Sequence, residues 1–244
     1  MESKIVIFCA CNTAGNGSPD SNSISSKVVS SGAQTSIGWY NTINSISSPD
    51  WLNNFHEKLL EGYNPLEAVN YANDNLYLLP SVRNTLVSYR SLSSLNTYSY
   101  EQNNNDKKNI LENLSIQKSD LKSTDINIEK IIKQYDSEFN SNNYIKTESN
   151  GIYLYNFEDN SISKYTSYID YNYTIGNYIL NSGYTIVLDK NNNIIKIIDN
   201  TIDFDYKKIY ENISNNISYN INNKYYYDLN TNKQYIIQEN NEIK

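Results

Sequence analysis

Cys9 and Cys11 are the only thiols in the 244 residues, and both follow directly on the apolar run Ile5-Val6-Ile7-Phe8. Four consecutive apolar residues predict a buried strand, and Asn12-Thr13-Ala14-Gly15 predicts the turn that ends it. A thiol at the end of a buried strand, where the chain opens into a loop, can meet a substrate. Its chemistry there would be thiolate attack on an electrophilic carbon. Cys9, directly after the run, reads as a small hydrophobe of the strand; Cys11, next to the turn, is the candidate nucleophile. A disulfide between them is not expected, because residues i and i+2 of an extended strand share a face but lie too far apart. Zinc is not expected either. A Cys-x-Cys pair needs further soft ligands, and His56 is the sole histidine. No cofactor motif is present.

Composition narrows the function classes. A net charge of −7 and a pI near 4.8 argue against a nucleic-acid footprint, and Lys107-Lys108 and Lys207-Lys208 are too short to reverse that. Hydrophobic residues make up 39%, but 24 tyrosines add large side chains able to fill a core. The excess of Asn, Ile, Lys, Tyr and Ser matches the codon drift of a low-GC genome, so sequons such as Asn172-Tyr173-Thr174 carry no meaning of their own. The 5–8 run is far shorter than a signal-peptide core, and no segment has the apolar length of a spanning helix. As encoded, the chain reads as cytoplasmic, without a membrane partner.

The elements that must position Cys11 follow from periodicity. After the first strand and a Gly, Asn and Ser-rich loop, residues 24–31 predict a short helix ending at Gly32, and residues 34–40 a second strand. Pro49-Asp50 opens a helix through Leu60, with Trp51, Leu52, Phe55, Leu59 and Leu60 as its apolar stripe and Gly62 as its stop. Asn64-Pro65-Leu66-Glu67 carries the signature of a capped helix start running to about Leu76, and residues 85–90 predict a third strand. Strands alternating with helices predict a mostly parallel α/β sheet over residues 1–92. Residues 93–122 read as linker and short helix, with 91–106 aperiodic. Residues 123–244 then predict an α+β module: an amphipathic helix over 124–139, followed by β-branched and aromatic runs forming an antiparallel meander. Its expected hairpins turn at 189–193 and at 228–233.

Taken in order, these pieces resemble the caspase-like cysteine peptidases, a group that includes caspases, legumains, clostripain, gingipains and CHAT-domain peptidases. The apolar strand with Cys9-Ala10-Cys11-Asn12-Thr13 is similar to their nucleophile strand. Ser30-Ser31-Gly32-Ala33-Gln34-Thr35-Ser36-Ile37-Gly38-Trp39 is similar to the turn and strand that follow it. The pattern Phe55-x-x-x-Leu59-x-x-Gly62-x-x-x-x-Glu67-Ala68-x-x-x-Ala72 looks like the subsequent helix pair, so the resemblance covers roughly residues 4–90, the C-terminal half of such a catalytic domain. It implies that Cys11 attacks a peptide carbonyl, with backbone amides holding the oxyanion. It also implies a base, a His followed by Gly on an earlier strand, roughly 50 residues before the Cys in caspases. No His-Gly precedes Cys11 in this sequence. His56 stands 45 positions after Cys11, on the wrong side for that base, and reads as a surface helix residue. Trp39 and Tyr40 end the strand where the family builds part of its substrate pocket; core packing is the other role open to them.

Three readings remain. The chain is the C-terminal part of a caspase-like endopeptidase acting on a peptide or protein substrate, inactive alone because its His-bearing strands are either cut off by a miscalled start or carried by a second chain. Or it is a non-catalytic binding or scaffold protein on a peptidase-derived fold, or a decayed remnant. The first predicts an unpaired sheet edge beside the cysteine strand.

Overall fold

Ile5–Ile7 forms β1 and Thr35–Trp39 forms β2, joined by the helix α1 (Ile24–Ser30). These belong to a computed structural model that describes residues 4–43, 47–76, 83–91, 109–116, 121–214, 224–230 and 232–237. β1 and β2 pair in parallel, Ile5 opposite Thr35 and Ile7 opposite Ile37, as a strand–helix–strand crossover requires. The Ser23 side chain caps α1 by accepting from Ser26 N–H, which is why the helix begins at Ile24.

Helix α2 (Ser47–Leu60) begins two residues before the expected Pro49-Asp50, and α3 (Pro65–Asp74) follows the Gly62 turn. The expected capping box is complete: Asn64 Oδ1 accepts from Glu67 N–H at 2.9 Å and Glu67 Oε2 from Asn64 N–H at 3.0 Å. The α2 stripe differs at one position. Trp51 and Phe55 are fully buried, but Leu60 is 90% exposed. Five residues beyond Phe55, at about 100° per residue, it has rotated off the face. Lys58 is buried in its place, 1% exposed, with its Nζ 2.8 Å from Glu61 and over the rings of Tyr71 (4.2 Å) and Tyr63 (4.9 Å).

The third strand, β3 (Thr85–Tyr89), runs antiparallel to β2. Two strands from later in the chain complete the first sheet: β5 (Ile152–Asn156), parallel to β3, and β6 (Ser161–Lys164), antiparallel to β5. Its order is β1-β2-β3-β5-β6. Residues 152–157 are read from sequence as part of the C-terminal meander; they form a strand, as expected, but pair with β3. An apolar run encodes a strand and its buried face, not which edge it joins. Helices α2 and α3 cover the face carrying Ile37, Trp39, Val87 and Ile152. On the opposite face α1 docks through hydroxyls, Ser25 to Ser36 at 2.9 Å and Ser26 to Ser88 at 3.4 Å.

The second sheet has the order β11-β10-β8-β7-β4, from β4 (Tyr144–Ser149), β7 (Thr166–Ile175), β8 (Tyr178–Asp189), β10 (Lys224–Asp228) and β11 (Lys233–Ile237). β9 (Ile194–Asp199) also pairs with β8. All these pairings are antiparallel except β8 with β10. Helix α4 (Asp125–Tyr135), capped by Thr124, buries Ile128, Ile131 and Ile132 against Ile186, Leu188, Ile194 and Ile197. A last helix, α5, spans Tyr206–Ser214. The chain is therefore α/β in its first part, with an antiparallel-rich α+β part after it. Of the expected 91–106 linker, all but Ser91 lies outside the described residues. A 3-10 turn, Ile110–Asn113, buries Ile110 in the second core. Among the described residues, no helix is long and apolar enough to cross a membrane.

β8 exchanges β10 for β9 as its neighbour near Gly183. There φ is 151°, and a Cβ would lie 1.8 Å from Tyr171 O on β7. Gly183→Ala is expected to lower stability by about 2–4 kcal/mol. Urea melts check this; an unchanged midpoint would show that β7 and β8 separate freely.

Candidate functional site

The last ladder bond of β1 is donated by Phe8 N–H to Ile37 O at 2.9 Å. Beyond it the chain is folded back by one side chain. Thr13 Oγ1 donates to Ala10 O at 3.1 Å and accepts from Trp39 N–H at 3.2 Å. Asn12 supplies the left-handed residue of the turn (φ 58°). Ala14 N–H then reaches Trp39 O at 2.9 Å and Gly17 N–H reaches Tyr40 O at 2.7 Å, laying the loop along the end of β2. Gly38 permits this approach: a Cβ there would stand 2.9 Å from Thr13 Oγ1 and from Ser25 Cβ.

Cys11 sits exposed on the crest of this turn, at the carboxyl end of β1. Its Sγ accepts from Ile43 N–H at 3.4 Å and can donate to Ile43 O at 3.9 Å. Cys9 is also exposed and free, and partial burial pushes its thiol up from the ordinary range. The site is thus a solvent-accessible thiol held between two backbone groups, on an edge strand. Among the described residues, β1 has no strand on its other side.

No side chain is hydrogen-bonded to Cys11 among the described residues. His56 is exposed on α2, its ring 5.9 Å from that of Phe55, and is not brought to the thiol. Trp39 and Tyr40 lie close to the turn in sequence register but face inward. Trp39 is 0% exposed, edge-on to Trp51 at 4.8 Å; Tyr40 is 1% exposed, its hydroxyl donating to Gly151 O at 2.8 Å. Their burial favours core packing over the substrate-pocket role. Among the described residues, no group of three or more His, Cys, Asp or Glu could hold a metal ion.

The sheet edge that carries Cys11 continues through Asn41, Asn84 and Asn150, at the corresponding ends of β2, β3 and β5. Asn41 O accepts from Asn12 N–H at 3.3 Å, tying this row to the cysteine turn. The three asparagines wall a cavity of about 500 Å³ whose other side belongs to the second sheet. Residues as distant as Asn41 and Asn192 line it together, so no local signal in the sequence could have found it. No protein-family model, curated protein or solved structure matches this chain.

Proposed function

We propose that this chain carries the nucleophile-bearing part of a caspase-like cysteine endopeptidase. The observation that carries the reading is the exposed Cys11 thiol at the carboxyl end of an edge strand, directly before a tight turn. The open edge of β1 supports it, being where the resemblance puts a neighbouring strand ending in His-Gly. In this reading, a His on that strand takes the Cys11 proton, and Sγ attacks the peptide carbonyl carbon. The same His then protonates the departing amine, and water hydrolyses the thioester. The described residues hold the thiol without a base, so in this reading they are inactive by themselves and the His comes from strands outside them, on the same polypeptide or on a second chain. A non-catalytic scaffold is the alternative, favoured by Ile43 backbone groups being the partners of Sγ among the described residues.

The test is iodoacetamide labelling followed by peptide mapping, which reads Cys9 and Cys11 separately. Cys11, on the exposed turn, is expected to alkylate faster than Cys9, whose thiol burial pushes up, a signal absent in Cys11→Ala. A Cys11 rate no greater than that of Cys9 would remove the catalytic reading and leave the scaffold.

A further inference from the structure

We propose that the polar cavity between the two sheets is a binding site for a small neutral saccharide. This inference does not rest on the thiol chemistry of Cys11. The cavity, about 500 Å³, falls in the range of small-molecule sites and lies between two packed layers. Its lining is what decides the class of ligand. Asn41, Asn84, Asn150 and Asn192 offer amide groups that both donate and accept, and Ser123, Ser149 and Ser167 offer hydroxyls. Charge is limited to Lys164 and Glu148, of opposite sign, and Glu148 is already paired with Lys146 at 2.8 Å. The cation of Lys164 stands alone against seven amide and hydroxyl side chains, so hydroxyl recognition outweighs any attraction for an anion. Tyr168, Ile169 and Leu188 together give too little apolar surface to hold the side chains of a peptide. It fits a ligand carrying several hydroxyls, each a donor and an acceptor.

The second line of argument is incomplete hydrogen bonding. Asn84 is 7% exposed; its side-chain amide lies 3.3 Å from the Tyr40 hydroxyl, whose one proton goes to Gly151 O at 2.8 Å, so most of the amide's hydrogen-bonding capacity is left for the cavity. Asn41 repeats the pattern, with Oδ1 taken by Thr42 N–H at 2.9 Å. Ser149 and Ser167, 8% and 6% exposed, bury hydroxyls that have no hydrogen-bond partner among the described residues. A buried hydroxyl without a partner carries its desolvation penalty with nothing in return. Both serines line the cavity, and rotation between χ1 wells is the motion that presents a serine hydroxyl to a ligand there.

The serines also make the test clean, because among the described residues nothing depends on a hydrogen bond from their hydroxyls. Glucose, galactose, maltose, N-acetylglucosamine and glucuronate would be titrated into the full chain by calorimetry, with saturation-transfer NMR as a second readout. At least one neutral sugar is expected to bind saturably. The double variant Ser149→Ala/Ser167→Ala is expected to weaken that sugar about tenfold while the thermal midpoint holds or rises. Asn41→Ala, on the exposed rim, is an independent variant expected to weaken the same sugar. Binding of glucuronate alone would overturn the neutral class in favour of an anion held by Lys164. No binding by any sugar would make the cavity a solvent pocket, and affinity unchanged in all three substitutions would place the ligand elsewhere.

Discussion

Arg83→Ala is expected to cost about 3–5 kcal/mol, most of the margin of an ordinary domain. Arg83 is 2% exposed and joins the two sheets from the segment just before β3. Its Nη1 pairs with Asp170 on β7, its Nη2 donates to Leu76 O at 2.7 Å, and its Nε donates to Asn73 O at 3.0 Å. The guanidinium also lies 5.1 Å from the Tyr168 ring centre. Burial by itself would lower the guanidinium pKa; the Asp170 carboxylate more than offsets this and holds it above its usual value. Asp170 is fixed from its other side, accepting from Thr185 Oγ1 at 2.7 Å, which in turn accepts from Asn200 Nδ2 at 2.9 Å. Removing the arginine leaves a buried carboxylate and two backbone carbonyls without their donor, so the loss exceeds that of one contact. The double variant Arg83→Met/Asp170→Leu removes both charges and is expected to be more stable than Arg83→Ala. Urea unfolding of the three proteins checks this. A loss below about 1 kcal/mol in the single variant would mean that the sheets are held together by other contacts.

Raising the pH above 10 is expected to unfold the protein in one cooperative step. Burial, then the charge of Asp136, pushes Tyr144 up to about 12; burial, then Asp125, pushes Tyr171 up to about 12. Tyr40, Tyr168, Tyr184 and Tyr226 are pushed up as well, burial being the first cause in each. In an unfolded chain these phenols ionise near pH 10. Their native pKa values are raised, so the stabilisation is fully present below pH 10, where both states hold the proton. Above it the unfolded state loses protons first, and stability falls as pH rises through the native values. Tyr168 and Tyr226, each 1% exposed, together contribute a slope of up to about 3 kcal/mol per pH unit. Tyrosinate absorbance and far-UV circular dichroism should therefore change together between about pH 10 and 12. Smooth titration near pH 10 with intact secondary structure would show that the tyrosines are not held in a packed core.

The two expectations differ in how far the sequence foretells them. A tyrosine-filled core is legible in 24 tyrosines spaced along β-branched runs. The Arg83–Asp170 pair is not, because its partners are 87 positions apart and each reads alone as a surface charge. The burial of Lys58 is equally illegible, because it depends on rings from Tyr63 and Tyr71.

By itself the sequence determined what short-range physics governs. Four apolar residues made β1, and Asn12-Thr13 ended it with Cys11 at the turn. The Asn64–Glu67 box started α3, Ile128, Ile131 and Ile132 set the buried face of α4, and the 189–193 turn closed the β8–β9 hairpin. Each is decided within one or two turns of chain, by cap geometry or by a period of 3.6 or 2. Tertiary structure alone decided that β5 joins β3, that Trp39 and Tyr40 turn inward, that His56 stays away from the thiol, and that asparagines from both sheets enclose a cavity. Those outcomes depend on which distant surfaces close on one another and which polar groups find partners when they do. A periodic pattern names the buried face of an element, but it does not name its neighbour.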